Sequence, residues 1–203
     1  KQSFLAGLFF VVPKVLEIFL NNGTDPRTKL EVGLKQENVE EYKTFEDFYA
    51  AFKDVLRYFI SLWHEHSFLL AGRTGDVYGY NDIVEVLDTV LMPDGIKMGK
   101  PLSKREAVPP YDFRAAMIPV GAVNTADSLA AIKLLIFDKK KITLRQLKDA
   151  LAANWEGYDD IRKMCLQAPK YGNDDDYVDN ITADLYKFLL DEESKYHSYG
   201  RPV

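Results

Sequence analysis

Long stretches of the chain carry apolar residues at helical spacing, separated by short polar or proline-rich breaks. Between Ser3 and Leu20, the residues Phe4, Leu8, Val11, Val12, Val15, Leu16 and Phe19 recur three or four apart, which predicts one amphipathic helix. Pro13 falls inside it, where the ring removes a backbone donor and predicts a kink. Asn21-Asn22-Gly23 ends the helix, with Gly23 as its left-handed stop, and Asp25-Pro26 marks a turn. Thr44 and Asp47 approximate a capping box that opens the clearest helix. Its apolar face is Phe45, Phe48, Tyr49, Phe52, Val55, Leu56, Phe59 and Trp63; Glu46, Lys53, Asp54 and Arg57 lie opposite.

A shorter helix is predicted over Asn81–Leu91, followed by an irregular connection over Met92–Pro110, rich in Pro, Gly and Lys. Tyr111–Val123 reads as a buried strand, and Asn124 switches the pattern to a helix capped by Asn124 or Thr125. Further helices follow Thr143, run through Ile161 and Met164 to a stop at Pro169, and start within Asp174-Asp175-Asp176, whose charge suits a helix N-terminus. The fold class is therefore α/β: mostly helical with few strands. One strand makes no sheet: either a few strands are hidden in the irregular stretches or its partners lie outside this chain, and the second is the expectation.

Composition narrows the function. With 47% hydrophobic residues, 12 Phe, 12 Tyr and 2 Trp, the chain of 203 residues can fill a core and is no disordered tail. A net charge of -5 argues against nucleic acid, and the only basic run, Lys139-Lys140-Lys141, reads as a solvated turn. Cys165 is the only cysteine, so no disulfide or multi-cysteine metal site can form within the chain. Phe4–Leu20 is interrupted by Pro13, Lys14 and Glu17 and is too short and charged to span a bilayer; it also lacks a signal-cleavage pattern. No membrane association and a cytoplasmic location are the expectation.

Each candidate site has a plainer reading. His64 and His66 are two apart, so on a helix they point in different directions, unlike a metalloprotease pair four apart. Asp174, Asp175, Asp176 and Asp179 lack the alternating spacing of a calcium loop and read as a helix cap. Gly72, Gly75 and Gly79 are too irregular for a dinucleotide fingerprint. Cys165, between Met164 and Leu166, reads as a small apolar residue of a helix face. No metal site is expected. Asn124, Thr125, Asp127 and Ser128 sit where a strand hands over to a helix, a place where ligands bind in α/β folds, although capping explains them more simply.

Two stretches are specific enough to compare with a known family. Gly121-Ala-Val-Asn-Thr-Ala-Asp-Ser-Leu-Ala-Ala-Ile-Lys133 is followed by Phe137-Asp138 and Ile142-Thr143. Asn154-Trp-Glu-Gly-Tyr158 continues to Ala168-Pro-Lys-Tyr-Gly-Asn-Asp-Asp-Asp-Tyr-Val-Asp179. Together they resemble the pyruvate formate-lyase-like domain of glycyl radical enzymes. That group includes glycerol and propanediol dehydratases, choline and isethionate lyases, arylacetate decarboxylases and benzylsuccinate-type synthases. The wording is slightly closer to the decarboxylases and synthases.

The resemblance implies an α/β barrel in which a cysteine thiyl radical abstracts hydrogen from a small organic substrate. The outcome is bond cleavage, decarboxylation or addition to fumarate. It also implies a glycine that stores the radical, a separate activating enzyme using S-adenosylmethionine and an iron–sulfur cluster, and a possible homodimer. Neither the cysteine loop nor the glycine loop matches any part of this chain, so residues 1–203 are expected to be the stretch between them, with no catalytic residue. On the strand, Met117, Pro119, Gly121 and Asn124 are the expected cavity-facing, substrate-binding positions. The chain opens without Met and closes at Pro202-Val203, so both ends read as cut and the segment as inactive alone. The alternative is a non-catalytic helical interaction or scaffold protein derived from that family.

Overall fold

The computed structural model describes residues 3–4, 9–34, 37–77, 90, 95–98, 113–114, 117–198 and 201–202. It divides into two compact units. One comprises Lys1–Phe10, Ser61–Ile118 and Glu193–Val203, and the other Val11–Ile60 and Pro119–Glu192. The elements in order are β1 (Ser3–Phe4), β2 (Phe9–Val11), α1 (Val12–Leu20), α2 (Phe45–Val77), α3 (Gly95–Met98), β3 (Phe113–Arg114), β4 (Ile118–Val120), α4 (Ala122–Ile132), α5 (Leu144–Ala152), α6 (Asp159–Gln167), α7 (Asp176–Glu193), β5 (His197–Ser198) and β6 (Arg201–Pro202).

The chain is mostly helical with few strands, but its first element differs from the helical reading. Only Val12–Leu20 is helix; β1 and β2 precede it. Pro13 does not kink α1 but occupies its first turn, where a missing N–H interrupts no intrahelical bond. Leu8 to Val12 is apolar at every position, which fits a short strand as well as a helix face, so the pattern did not separate the two. The strands have partners within the chain as well, contrary to the sequence-based expectation. β1 pairs parallel with β3, joining Ser3 to Phe113 and Phe4 to Arg114, and β2 pairs with β4. The strand expected over Tyr111–Val123 is two short pieces, β3 and β4. The helix expected over Asn81–Leu91 lies outside the described residues, apart from helical Val90. So does most of the Met92–Pro110 connection, in which α3 is described.

The unit containing Val11–Ile60 and Pro119–Glu192 has an aromatic core. Phe19, Phe48 and Phe52 are fully buried, and the Phe19 and Phe48 rings meet edge-on at 5.0 Å. Phe137 packs at 5.7 Å on Phe48, while Val178, Leu185 and Leu189 of α7 are also buried. Lys53 bonds Asp184 at 2.6 Å, and Arg57 bonds the buried Glu192 at 3.2 Å, tying α2 to α7 within this unit. The left-handed stop of α1 falls one residue before the expected Gly23: Asn22 (φ 53) follows the C-cap Asn21 and its N–H reaches the Phe19 carbonyl, while Gly23 (φ 86) continues the turn with its N–H on the Ile18 carbonyl.

In the other unit, α2 continues through Trp63, His64 and beyond to Val77, and β5 pairs antiparallel with β6. The His64 ring stacks on Tyr196 with centroids 4.1 Å apart.

Candidate functional site

The strand-to-helix turn is built on Gly121. Its φ of +75 is left-handed, and a Cβ there would lie 2.7 Å from the Pro13 ring. Glycine thus satisfies two demands: a sharp turn out of β4 and close approach to the start of α1. Of the buried positions of α4, four are alanine (Ala122, Ala126, Ala130 and Ala131) beside Thr125, Leu129 and Ile132, matching the close packing of α1 and α4.

Gly121 is the N-cap of α4, so the expected caps Asn124 and Thr125 already lie inside the helix. Thr125 Oγ1 donates back to the Gly121 carbonyl at 3.0 Å, and Ser128 Oγ to the Asn124 carbonyl at 2.8 Å. Asn124 is exposed in the first turn, and Pro119 is half-buried. In the other unit, Met117 is buried and its N–H donates to Glu193 Oε1 at 3.4 Å.

The remaining candidates occupy ordinary structural places. His64 Nε2 lies 2.9 Å from Glu193 Oε2. Asp175 caps α7, its Oδ1 accepting from the Tyr177 N–H at 3.0 Å. Gly72 and Gly75 lie within α2, and Gly79 lies outside the described residues. Cys165 is half-buried on α6, and burial pushes its thiol above the usual range against the opposing charge of Lys170. Lys139-Lys140-Lys141 is an exposed turn. Among the described residues, no three His, Cys, Asp or Glu side chains form a group able to hold a metal, and no helix is long and apolar enough to cross a membrane.

What the two sequence motifs do locally is now visible. Asp127 Oδ1 accepts the Tyr171 N–H at 2.9 Å, joining the first motif to the second. Asp138 Oδ2 receives both Lys133 Nζ at 2.8 Å and Tyr177 Oη at 2.7 Å. Lys133–Asp138 is a π-helical turn extending α4. In Asn-Trp-Glu-Gly-Tyr, Asn154, Trp155 and Gly157 have φ of 48, 70 and 80, so this motif is a left-handed turn closing α5. A bulky Trp in that region is uncommon. The Trp155 N–H reaches the Ala150 carbonyl at 2.8 Å, which holds it there. Sequence reasoning missed the Asp127–Tyr171 and Tyr177–Asp138 clasps because they join residues 44 and 39 apart in sequence; for the turn, the local signal was the pairing of Asn154 with Gly157, two residue types that tolerate positive φ.

The model of the pyruvate formate lyase-like family matches residues 1–203, the whole chain. The chain belongs to that family. It is 32% identical over 204 residues to the trans-4-hydroxy-L-proline dehydratase of Clostridioides difficile, covering 100% of this chain and 24% of that protein. The crystal structure of hydroxyproline dehydratase from the same organism, with trans-4-hydroxy-L-proline bound, superposes with a TM-score of 0.77 and 29% identity, covering 100% of this chain and 25% of that one. A 4-hydroxyphenylacetate decarboxylase glycyl radical subunit of Clostridioides difficile (strain CD196) is 29% identical over 205 residues, covering 89% of this chain and 22% of that protein. This member of the pyruvate formate lyase-like family thus spans about a quarter of the length of these relatives. The motif wording that leans toward the decarboxylases finds no echo in the identities, which are 32% for the dehydratase and 29% for the decarboxylase.

Proposed function

We propose that this chain is the wall segment of a glycyl radical enzyme, lying between the loop that carries the radical-forming cysteine and the loop that carries the glycine. The observation that carries this reading is the match of the whole chain, in sequence and in fold, to a quarter of a dehydratase. In the complete polypeptide a cysteine thiyl radical takes a hydrogen atom from a carbon of a small organic substrate, leaving a thiol and a substrate radical that then eliminates, decarboxylates or adds to an alkene. This chain's share is to shape the cavity. Met117, Pro119, Gly121 and Asn124 are the proposed substrate-facing positions: Pro119 lies on β4, Met117 just before it, Gly121 caps α4 and Asn124 lies in its first turn, where a strand hands over to a helix N-terminus.

The proposal includes a separate activating enzyme, using S-adenosylmethionine and an iron–sulfur cluster, that installs the glycyl radical. It also includes a homodimer and a cytoplasmic location. Its test is the open reading frame around this stretch in the source DNA, followed by expression of the complete product. The expected frame continues upstream to a Gly-Cys loop and downstream to a glycine-radical motif. Anaerobic incubation with the activating enzyme then gives the electron paramagnetic resonance signal of a carbon-centred radical. A frame that opens at Lys1 and stops after Val203 would overturn the proposal.

A further inference from the structure

Asn22-Gly23 is the only Asn-Gly pair in the chain. Packing calls for both residues. Gly23 has a φ of 86, and a Cβ there would lie 2.9 Å from the Leu34 carbonyl oxygen. Asn22 is left-handed at φ 53, and its Oδ1 accepts the Val39 N–H at 3.1 Å, which ties the end of α1 to the short helical turn Val39–Glu41.

The same pair carries a chemistry that neither residue has alone. The Gly23 nitrogen can attack Cγ of the Asn22 side chain, because glycine has no side chain to crowd the approach. The N–Cγ bond forms as the Cγ–Nδ2 bond breaks, and Nδ2 leaves as ammonia, taking the Gly23 amide proton with it. Water then opens the resulting cyclic imide at either carbonyl, giving aspartate or isoaspartate. In sum a water is consumed and an ammonia released, with no oxidant or reductant.

In the folded chain the reacting groups are all engaged. The nucleophile, the Gly23 N–H, donates to the Ile18 carbonyl at 2.9 Å, and Gly23 is buried. On the electrophile, Oδ1 is held by Val39, and Nδ2 donates to Asn38 Oδ1 at 3.4 Å. The Gly23 carbonyl accepts from the N–H groups of Val32 and Gly33, both at 2.9 Å, which fixes the residue from its other side. Asn22 itself is exposed, so water is at hand and geometry alone stands in the way.

We propose that Asn22 is a gated deamidation site, closed while the C-terminal turn of α1 is in place and reactive whenever that turn opens. The rate then follows the population of the open form. An isoaspartyl product adds a carbon to the backbone and cannot restore the bond to Ile18, so each opening that reacts is kept as a one-way chemical record. The reaction needs only water and is independent of the radical chemistry proposed above.

The test holds the complete polypeptide in mildly alkaline buffer, native or in guanidinium chloride, and follows conversion at Asn22 by peptide mass spectrometry. Conversion in the native protein is expected to be slower on the order of tenfold or more. Asn38→Ala removes the acceptor for Nδ2 while leaving Asn22-Gly23 itself intact. It is expected to speed native conversion by about threefold or more and to change nothing in denaturant. Asn38→Asp, which keeps an acceptor oxygen, is expected to stay protected. Coinciding native and denatured rates would overturn the proposal, a result that needs no variant to obtain. So would a native Asn38→Ala rate equal to that of the unsubstituted protein. In the isoaspartyl fraction the Val32 and Gly33 amides are expected to exchange faster, and unchanged exchange there would overturn the one-way record.

Discussion

The carboxylate of Asp127 on α4 accepts the backbone N–H of Tyr171, 44 residues later, at 2.9 Å. This bond explains why an Asp sits in the middle of one motif and a Lys-Tyr-Gly turn in the other. The loop after α6 has little regular structure, with Gly172 and Asp174 at φ of 87 and 56, so its placement depends on such side-chain anchors. Asp127→Ala removes a hydrogen bond to a charged acceptor, an effect of about 1.5–3 kcal/mol on the local opening of the loop. Hydrogen exchange at the Tyr171 amide is expected to speed up accordingly. Asp127→Asn, which keeps an acceptor oxygen, is expected to lose less. Unchanged exchange in the Ala variant would show that the loop is held by other contacts.

The core of the larger unit makes a simpler prediction. Phe48 is fully buried, with Phe19, Phe45, Tyr42 and Phe137 around its ring. Phe48→Ala leaves a cavity among rings that cannot all collapse inward, and a loss of about 3–5 kcal/mol is expected. Phe48→Leu refills much of the volume and is expected to lose clearly less. Urea midpoints of the two variants check this, and similar midpoints for Ala and Leu would contradict it.

The helices were legible in the sequence because each buries one face, and their ends were legible where the stop is chemical. Gly23, Thr143, Pro169 and Asp175 all act near where they were expected to act; Thr143 shares a full capping box with Gln146. The short strands were not legible. Phe9–Val11 carries apolar residues at every position, which fits a helix face as well as a strand, and only Pro13 just beyond it signalled a helix start. The cap at Gly121 was hidden for another reason. Asn124 and Thr125 are better cappers by residue type, but Gly121 prevails because α1 approaches too closely for any side chain there. Such a constraint belongs to packing between two helices and leaves no trace in local propensity.

Asp138 gives the chain a defined acid response. Its hydrogen bond from Lys133 holds the carboxyl below the usual range, against the opposing effect of burial, and Tyr177 Oη assists. In the unfolded chain the same carboxyl titrates near its ordinary value of about 3.9. Above that value both states are ionised and the full stabilisation is present. As pH falls, the unfolded state takes up its proton first, and the stabilisation fades as pH descends through the lowered folded value. The gap in urea midpoint between the native chain and Asp138→Asn is therefore expected to be largest near neutrality and to narrow toward pH 3. A gap that stays constant, or widens in acid, would assign the effect to something other than this carboxylate.

Gly121 and Pro13 together allow a sharper test, because two separate penalties meet at one position. Gly121→Ala places a β-carbon in a left-handed backbone, which costs roughly 1–2 kcal/mol. It also drives that carbon into the Pro13 ring, and overpacking of this kind adds about 1–3 kcal/mol. The two contributions separate in a double-mutant cycle with Pro13→Ala. Removing the ring abolishes the clash but leaves the backbone penalty, so the double variant is expected to be more stable than the sum of the single losses predicts. Strict additivity would mean that α1 simply moves away from the turn.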